Sequence, residues 1–314
     1  MNLILSNIAV VGAGAIGCYF GGMLARAGNQ VTLIGRKPHV DAITRDGLTF
    51  QSRNVEEHIP IAATDDVAAV DGAGLILFCV KSLDTDDAAR NMAPDLARDA
   101  IILGLQNGVD NAERIRRHVS NQVIPALVYA AANMPAPGHV KHTGGGNLII
   151  GRTRDDRGDQ HALREIATLL TSAGIPVRIS DHIEVELWTK LAMNCAYNAI
   201  SALGGARYAQ MVANAEVRRI MRDAAVEVVR VAEAKSVRLP EHIVDDAMKL
   251  ADAMPQTLSS TAQDIQSGKR TEIDHLNGYV VREGEALGIA TPVNRTLNAL
   301  IKLVEQVKFG RAGE

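Results

Sequence analysis

The stretch Ile8-Ala9-Val10-Val11-Gly12-Ala13-Gly14-Ala15-Ile16-Gly17 decides the fold. Four apolar residues of β type run into Gly-x-Gly-x-x-Gly, and residues 15–27 follow with a helical pattern rich in small residues. Each glycine has its own task. Gly12 permits the tight turn, Gly14 leaves room for a close approach to the backbone, and Gly17 lets the helix lie against the strand. The pattern alone is weak and arises by chance; its place between a strand and a helix makes it specific. The first turn of that helix offers free N–H groups and a favourable dipole to phosphates. The loop Gly12, Ala13, Gly14, Ala15, Ile16, Gly17 therefore predicts a dinucleotide site, against the alternative of a glycine-rich turn that binds nothing.

Working outward, residues 30–34, 75–80 and 101–105 read as further strands alternating with helical patterns. That order predicts βαβ units and a mainly parallel sheet. Residues 47–61 read as a hairpin or a loop insertion. Residues 122–151 read as strands broken at Pro135-Ala136-Pro137-Gly138 and at Gly144-Gly145-Gly146. From about Ser180 helical periodicity dominates, over 181–200, 214–235, 240–254, 272–287 and 292–308. The expected fold class is α/β: an N-terminal Rossmann-type dinucleotide-binding domain, 1–179, followed by an all-helical C-terminal domain, 180–314.

Composition narrows the function. Of 314 residues 47% are hydrophobic but only 3% aromatic, so the core is mostly aliphatic. The formal net charge is −3 with no long basic run, which argues against nucleic acid as a partner while leaving room for a local phosphate site. Cys18, Cys79 and Cys195 lie far apart in apolar segments and read as buried free thiols of a reducing compartment, the cytoplasm. Met1 to Val11 lacks a basic start and a cleavage site, so it reads as a strand rather than a signal peptide. No run is long and apolar enough to predict a membrane span. The nine histidines are scattered without ligand spacing, and no metal is expected.

The end of the second strand chooses between dinucleotides. A carboxylate there would bind a ribose 2′-hydroxyl; this chain has Ile34-Gly35-Arg36-Lys37. Two cations and no acid favour the 2′-phosphate of NADP(H), with Arg36 able to make paired charge-assisted bonds. The plain alternative is a solvated Arg-Lys pair.

The chain resembles the 2-dehydropantoate 2-reductase, or ketopantoate reductase, family. The resemblance spans nearly the whole length. It rests on the glycine loop, Val80-Lys81, Gln106-Asn107-Gly108, Glu186-Leu187-Trp188-Thr189-Lys190-Leu191-Ala192-Met193-Asn194 and Thr271-Glu272-Ile273-Asp274. It implies an NADPH enzyme that reduces a small 2-oxo acid in a cleft between a Rossmann and a helical domain. By the same resemblance, Lys190 is the proton donor to the substrate carbonyl and Glu272 binds substrate near the reacting carbon. Asn194, Asn198 and Ser260 hold the substrate's polar groups. Asn107 lies near the nicotinamide and substrate, and Lys81 near the cofactor ribose. One position departs: Thr257 stands where the family often has an asparagine that contacts substrate, which leaves the identity of the 2-oxo acid open. A homodimer is compatible with the sequence, which does not itself fix the oligomeric state.

Part of this chemistry is visible without the family. Lys190, Asn194 and Asn198 recur every four residues, on one helical stripe about 80° wide, and Glu186 extends it. A cation with two amides suits the wall of a wet cleft. The bland alternative is an exposed helix with a Glu186–Lys190 pair worth only ~0.2–0.5 kcal/mol. Reducing a ketone requires a donor to meet the charge growing on oxygen, and a lysine ammonium does this. Thr271-Glu272-Ile273-Asp274 also reads as a capping box at a helix start, with Thr271 as N-cap and Asp274 at N3. Ser259-Ser260 likewise reads as a helix start. A non-catalytic NADP(H) sensor is the rival from another class; binding alone needs neither Lys190 nor Glu272.

Overall fold

Parallel strands covered on both faces carry continuous apolar runs instead of alternation. Leu75–Phe78 (β6) and Ile101–Gly104 (β7) do so throughout, Asn7–Val11 (β1) after its first residue and Gln30–Ile34 (β2) apart from Gln30 and Thr32, and they lie side by side in a computed structural model of the chain. The structure describes residues 5, 7–52, 55–154 and 160–310. Its remaining described strands are Leu48–Ser52 (β3), Val55–Ile59 (β4), Ala62–Thr64 (β5), Gln122–Ala136 (β8), His139–Gly151 (β9) and Val177–Ser180 (β10). Sheet order is β4-β3-β9-β8-β7-β6-β1-β2-β5, with β10 paired to β9. All pairs are parallel except β3–β4 and β8–β9.

The chain divides into two compact units, Met1–Ile183 and Glu184–Glu314. In the first, successive residues of β1 feed two cores. Ile8 and Val10 join Phe20, Leu24, Leu33 and Leu77 on one face, while Ala9 and Val11 join Ile34, Ile76 and Phe78 on the other. Helix α1 (Ala15–Arg26) lies on the first face with Gly17, Gly21 and Gly22 buried. A Cβ at Gly21 would stand 2.7 Å from Leu33, and one at Gly22 2.9 Å from Leu48. Helices Lys37–Asp46 (α2), Thr85–Met92 (α3), Asn111–Arg116 (α4) and Gln160–Ser172 (α5) complete this unit.

The second unit is helical: Ile183–Gly204 (α6, whose first residue closes the first unit), Tyr208–Ala213 (α7), Ala215–Ala234 (α8), Ile243–Ala253 (α9), Ser260–Gln266 (α10), Asn277–Leu287 (α11) and Pro292–Phe309 (α12). Tyr197, Tyr208, Met221 and Met248 centre one core; Ala199, Ala224, Leu297 and Ile301 form another. Asn214 opens α8 by accepting from the N–H groups of Glu216 and Val217. At the start of α12, the buried Glu227 carboxylate accepts from Val293 N at 2.8 Å and Asn294 N at 2.9 Å. It supplies from α8 the cap that Thr291 does not.

For residues 47–61 the hairpin alternative holds: Leu48–Ser52 and Val55–Ile59 pair antiparallel. Two local expectations change. Gly144-Gly145-Gly146 does not break the chain: β9 runs through it, and the extra residues are absorbed as register shifts against Tyr129–Ala132, with Gly145 at φ +69 and Gly146 at φ +119. The capping box at Thr271 is not built either. Thr271 Oγ1 accepts from Ile273 N at 3.3 Å, only two residues on, and Asp274 bonds Lys302 at 3.0 Å. Residues 273–275 make one 3-10 turn, Leu276 departs from helical angles, and α11 begins at Asn277.

Candidate active site

In the first unit the predicted cofactor residues all follow the carboxyl ends of parallel strands. After β1, Gly12 N and Ala13 N donate to Ile34 O at 2.9 and 3.0 Å, which ties the glycine loop to the end of β2. Gly12 has φ +107, and a Cβ there would lie 2.7 Å from the Cys79 backbone. A Cβ at Gly17 would lie 2.1 Å from Gly12 O, so the helix can rest on its own loop only without a side chain. Around Gly14 a Cβ would meet nothing within 4 Å. Gly14 is the N-cap of α1, makes no side-chain cap bond, and is followed by a first turn with no acidic residue. Open space, unshielded N–H groups and no competing carboxylate fit a pyrophosphate.

Arg36 follows β2 as the exposed N-cap of α2. The intervening Gly35 packs so closely that its Cβ would stand 2.5 Å from that of Ala13. Lys37 is engaged by Asp41 at 3.0 Å, so of the two cations Arg36 is the one left to flank the loop. Lys81 is exposed beyond β6, just before the 3-10 turn Ser82–Asp84. Asn107 lies beyond β7, half-buried.

A polar network that the sequence reading missed fixes these last two loops. Ser82 Oγ and Asn111 Nδ2 both donate to Asn107 O, at 2.9 and 2.6 Å. Gln106 Nε2 donates to Val80 O at 3.0 Å and to Thr85 Oγ1 at 2.7 Å. The buried Arg114 donates to Ser82 O at 2.8 Å and binds Asp86 at 2.6 Å. Burial alone would raise the Asp86 carboxyl, but hydrogen bonds from Arg114 and His118 outweigh it and hold it below the usual carboxylate range. The only sequence signal was Asn111 and Arg114, two polar residues three apart that share the buried side of α4 with Ala112 and Ile115.

In the second unit, α6 presents Lys190, Asn194 and Asn198 on successive turns, the first two half-buried and the third buried. Burial lowers the Lys190 ammonium to about 8, and the nearby Glu272 carboxylate opposes that shift. Glu272 is itself only 6% exposed, between Thr271 and the 3-10 turn. Asn198 and Ser260 meet: Asn198 Nδ2 lies 3.4 Å from Ser260 Oγ. Ser259, not singled out as a ligand, sets that geometry. Its hydroxyl donates to Asn198 O at 3.0 Å and accepts from Ala262 N at 3.1 Å, capping α10 with Ser260 as first helical residue. Thr257 stands in the approach to that cap. Its carbonyl accepts from Tyr208 N at 3.1 Å, and the Arg207 guanidinium binds the carbonyl of Gln256 beside it.

Comparison with known proteins agrees with this layout. The family described as ketopantoate reductase PanE/ApbA matches residues 8–155, and the ketopantoate reductase PanE/ApbA C-terminal family matches 182–305. A 2-dehydropantoate 2-reductase of Halobacterium salinarum is 33% identical over 96% of this chain and 99% of that protein. The crystal structure of a PanE/ApbA family ketopantoate reductase from Ralstonia eutropha JMP134 superposes with TM-score 0.90 at 46% identity, covering 96% of this chain and 99% of that one. A D-mandelate dehydrogenase holding NADH and anilino(oxo)acetate has TM-score 0.89 at 25% identity, over 96% and 99%. A dimeric ketopantoate reductase from Staphylococcus aureus shares the fold, with TM-score 0.80 at 23% identity over 96% and 99%. Ketopantoate reductases use NADPH. With both halves matched and the dinucleotide loop built, the chain belongs to the ketopantoate reductase family, oxidoreductases that act on CH–OH groups.

Proposed function

We propose that this chain reduces 2-dehydropantoate to (R)-pantoate with NADPH, in the cytoplasm, for pantothenate and coenzyme A synthesis, and that it works as a homodimer. The observation that carries the reading is Lys190: a half-buried lysine whose ammonium burial brings down to about 8, with the buried Glu272 carboxylate near it and two amides on its own helix stripe.

When bound, NADPH supplies the hydride for the carbonyl carbon. Gly12 to Gly17 hold the pyrophosphate, Arg36 the 2′-phosphate, and Lys81 and Asn107 the ribose and nicotinamide side. Lys190 meets the charge that grows on the substrate oxygen and then gives up its proton. A donor whose pKa lies near the working pH is charged when needed and releases its proton at small cost. Glu272 binds the substrate near the reacting carbon and keeps the ammonium charged. Asn194, Asn198 and Ser260 are neutral, so they bind the substrate's carboxylate and hydroxyl without opposing Lys190.

A second reading keeps this chemistry with another 2-oxo acid. Thr257 favours it, since threonine is shorter than asparagine and offers a different donor–acceptor set. The related mandelate dehydrogenase fold holds an aryl oxo acid derivative. NADPH oxidation measured against a panel of 2-oxo acids decides between the two, and no turnover with any of them would leave only a binding protein. Thr257→Asn sharpens the test: if the natural substrate is another acid, the variant's kcat/KM ratio shifts toward 2-dehydropantoate. An unchanged ratio removes Thr257 from substrate recognition.

A further inference from the structure

The segment Thr271-Glu272-Ile273-Asp274 is gripped at both ends by one helix, α12. Thr271 is only 1% exposed, and its N–H donates to Glu305 Oε1 at 2.6 Å. At the other end Lys302 Nζ donates to Asp274 at 3.0 Å. The two grips match in spacing: residues 271 and 274 are three apart, and so are 302 and 305, which share one side of α12. Between the grips, Ile273 is buried in the core that holds Ala199 of α6, Ala224 of α8 and Leu297 and Ile301 of α12. Of the four residues, Glu272 alone is left to face the Lys190 ammonium. Its mount is weak by itself, one 3-10 turn without a side-chain cap. A little further on, Asn277 Nδ2 donates to Cys195 O at 3.2 Å, so the same segment is also tied to α6, the helix of Lys190.

We propose that Glu305 is a positioning residue for Glu272: it fixes the backbone one residue before that carboxylate and so sets the carboxylate's distance from Lys190. The inference rests on the reading of Lys190 and Glu272 given above and adds what holds the two in register. Of the two grips, Glu305 is the stronger. Its partner is a buried N–H, which costs free energy when left open, and an ionised acceptor makes the bond roughly twice as strong as a neutral one. The Lys302–Asp274 pair is 52% and 35% exposed, so water screens it. The bland alternative is a cap that serves folding alone. Placement argues against it: Glu305 reaches the peptide beside Glu272, whereas the next helix begins only at Asn277. An interaction between charges changes with their separation, so a shift of this turn is felt at Lys190 directly.

The test is a double-mutant cycle on the full chain, read in steady-state kinetics with NADPH and the best 2-oxo acid of the panel, with circular dichroism and an NADPH titration on each variant. Glu305→Ala keeps a good helix former in α12 and is expected to bind NADPH as wild type does. Its kcat should fall about tenfold or more, since a misplacement of ~1 Å can cost ~10²-fold. Its kcat should also begin to decline at a pH lower by about half a unit or more. An opposite charge within ~4–6 Å moves a pKa by about 1–3, and a displaced Glu272 supports the Lys190 proton less. Glu186, the other carboxylate on the Lys190 stripe, stays in place. Glu305→Gln retains an oxygen that can accept from Thr271 N and should recover most of kcat. In a Glu272→Gln background Glu305→Ala should cost little more, because the group it positions is gone; a loss that multiplies in full overturns the inference. So does a Glu305→Ala that melts lower yet keeps the wild-type kcat and pH limb. Should Glu305→Ala not fold, Glu305→Asp keeps the charge and draws the acceptor back by one methylene. The same losses are expected of it, and an unmoved kcat and limb overturn the inference. A Glu272→Gln that leaves kcat intact overturns instead the reading of Glu272 on which it rests.

Discussion

Lys190 sits where its charge is costly. In an unfolded chain a lysine titrates near ~10.4, whereas here burial brings it to about 8. Between those values the folded state binds fewer protons than the unfolded one, so this residue makes stability rise as pH climbs from about 8 toward 10.5. Below that window the burden is fully present. Lys190→Met should therefore keep or raise the melting temperature at pH 7 while kcat falls by ~10²-fold or more. In the wild type, kcat for reduction should decline above about pH 8 as the donor loses its proton. A melting temperature several degrees lower, or a surviving kcat, would refute the role. Arg36 is read differently, by selectivity. With Lys37 engaged by Asp41, Arg36→Ala should weaken NADPH binding about tenfold or more and leave NADH nearly unchanged, since a charge-assisted phosphate contact contributes roughly 1.5–3 kcal/mol. Equal losses in two parallel titrations would reject Arg36 as the 2′-phosphate ligand.

At the level of elements, the glycine loop separates packing from binding. Gly17→Ala forces a methyl into Gly12 O, so it should lower the melting temperature and cofactor affinity together. Gly14→Ala meets nothing in the protein and has an ordinary φ of −88, so it should fold normally and lose affinity alone. A thermal melt and an NADPH titration on each variant check the contrast; equal melting losses would mean the space before Gly14 is not where the phosphates lie. These elements were also the legible ones. The strand at 30–34 and the helices near 214–235 and 292–308 announce themselves because apolar period and burial coincide. The start of α11 did not, because Thr271 and Asp274 satisfy capping chemistry on paper while Lys302, distant in sequence, draws the carboxylate away. Gly144 to Gly146 read as a break, since a bulge is visible only once Tyr129 to Ala132 face it. The network of Ser82, Asn111 and Arg114 stayed hidden for the same reason: its partners are up to 32 residues apart.

On the scale of the molecule, each unit has its own cores; the proposed dinucleotide residues, Gly12 to Gly17, Arg36, Lys81 and Asn107, fall in the first, and Lys190, Asn194, Asn198, Thr257, Ser260 and Glu272 in the second. Calorimetry is expected to resolve two transitions, with NADPH alone raising the one that belongs to Met1–Ile183. At 100 times its Kd the ligand adds ~2.7 kcal/mol to what it binds. A single transition that shifts whole would mean the chain unfolds as one cooperative body. The three buried glycines of α1 have a consequence in time. Each lowers helix propensity by ~0.8–1.0 kcal/mol against alanine, so α1 is a poor helix until something holds it. What holds it arrives late: Phe50 stacks on Tyr19, and so does His142 in β9, more than a hundred residues downstream. At ~5–20 residues per second of synthesis, the loop that is made first waits on the order of 10 s for the strand that completes its support, and the nascent chain passes through that interval with its dinucleotide loop already made and its helix not yet held.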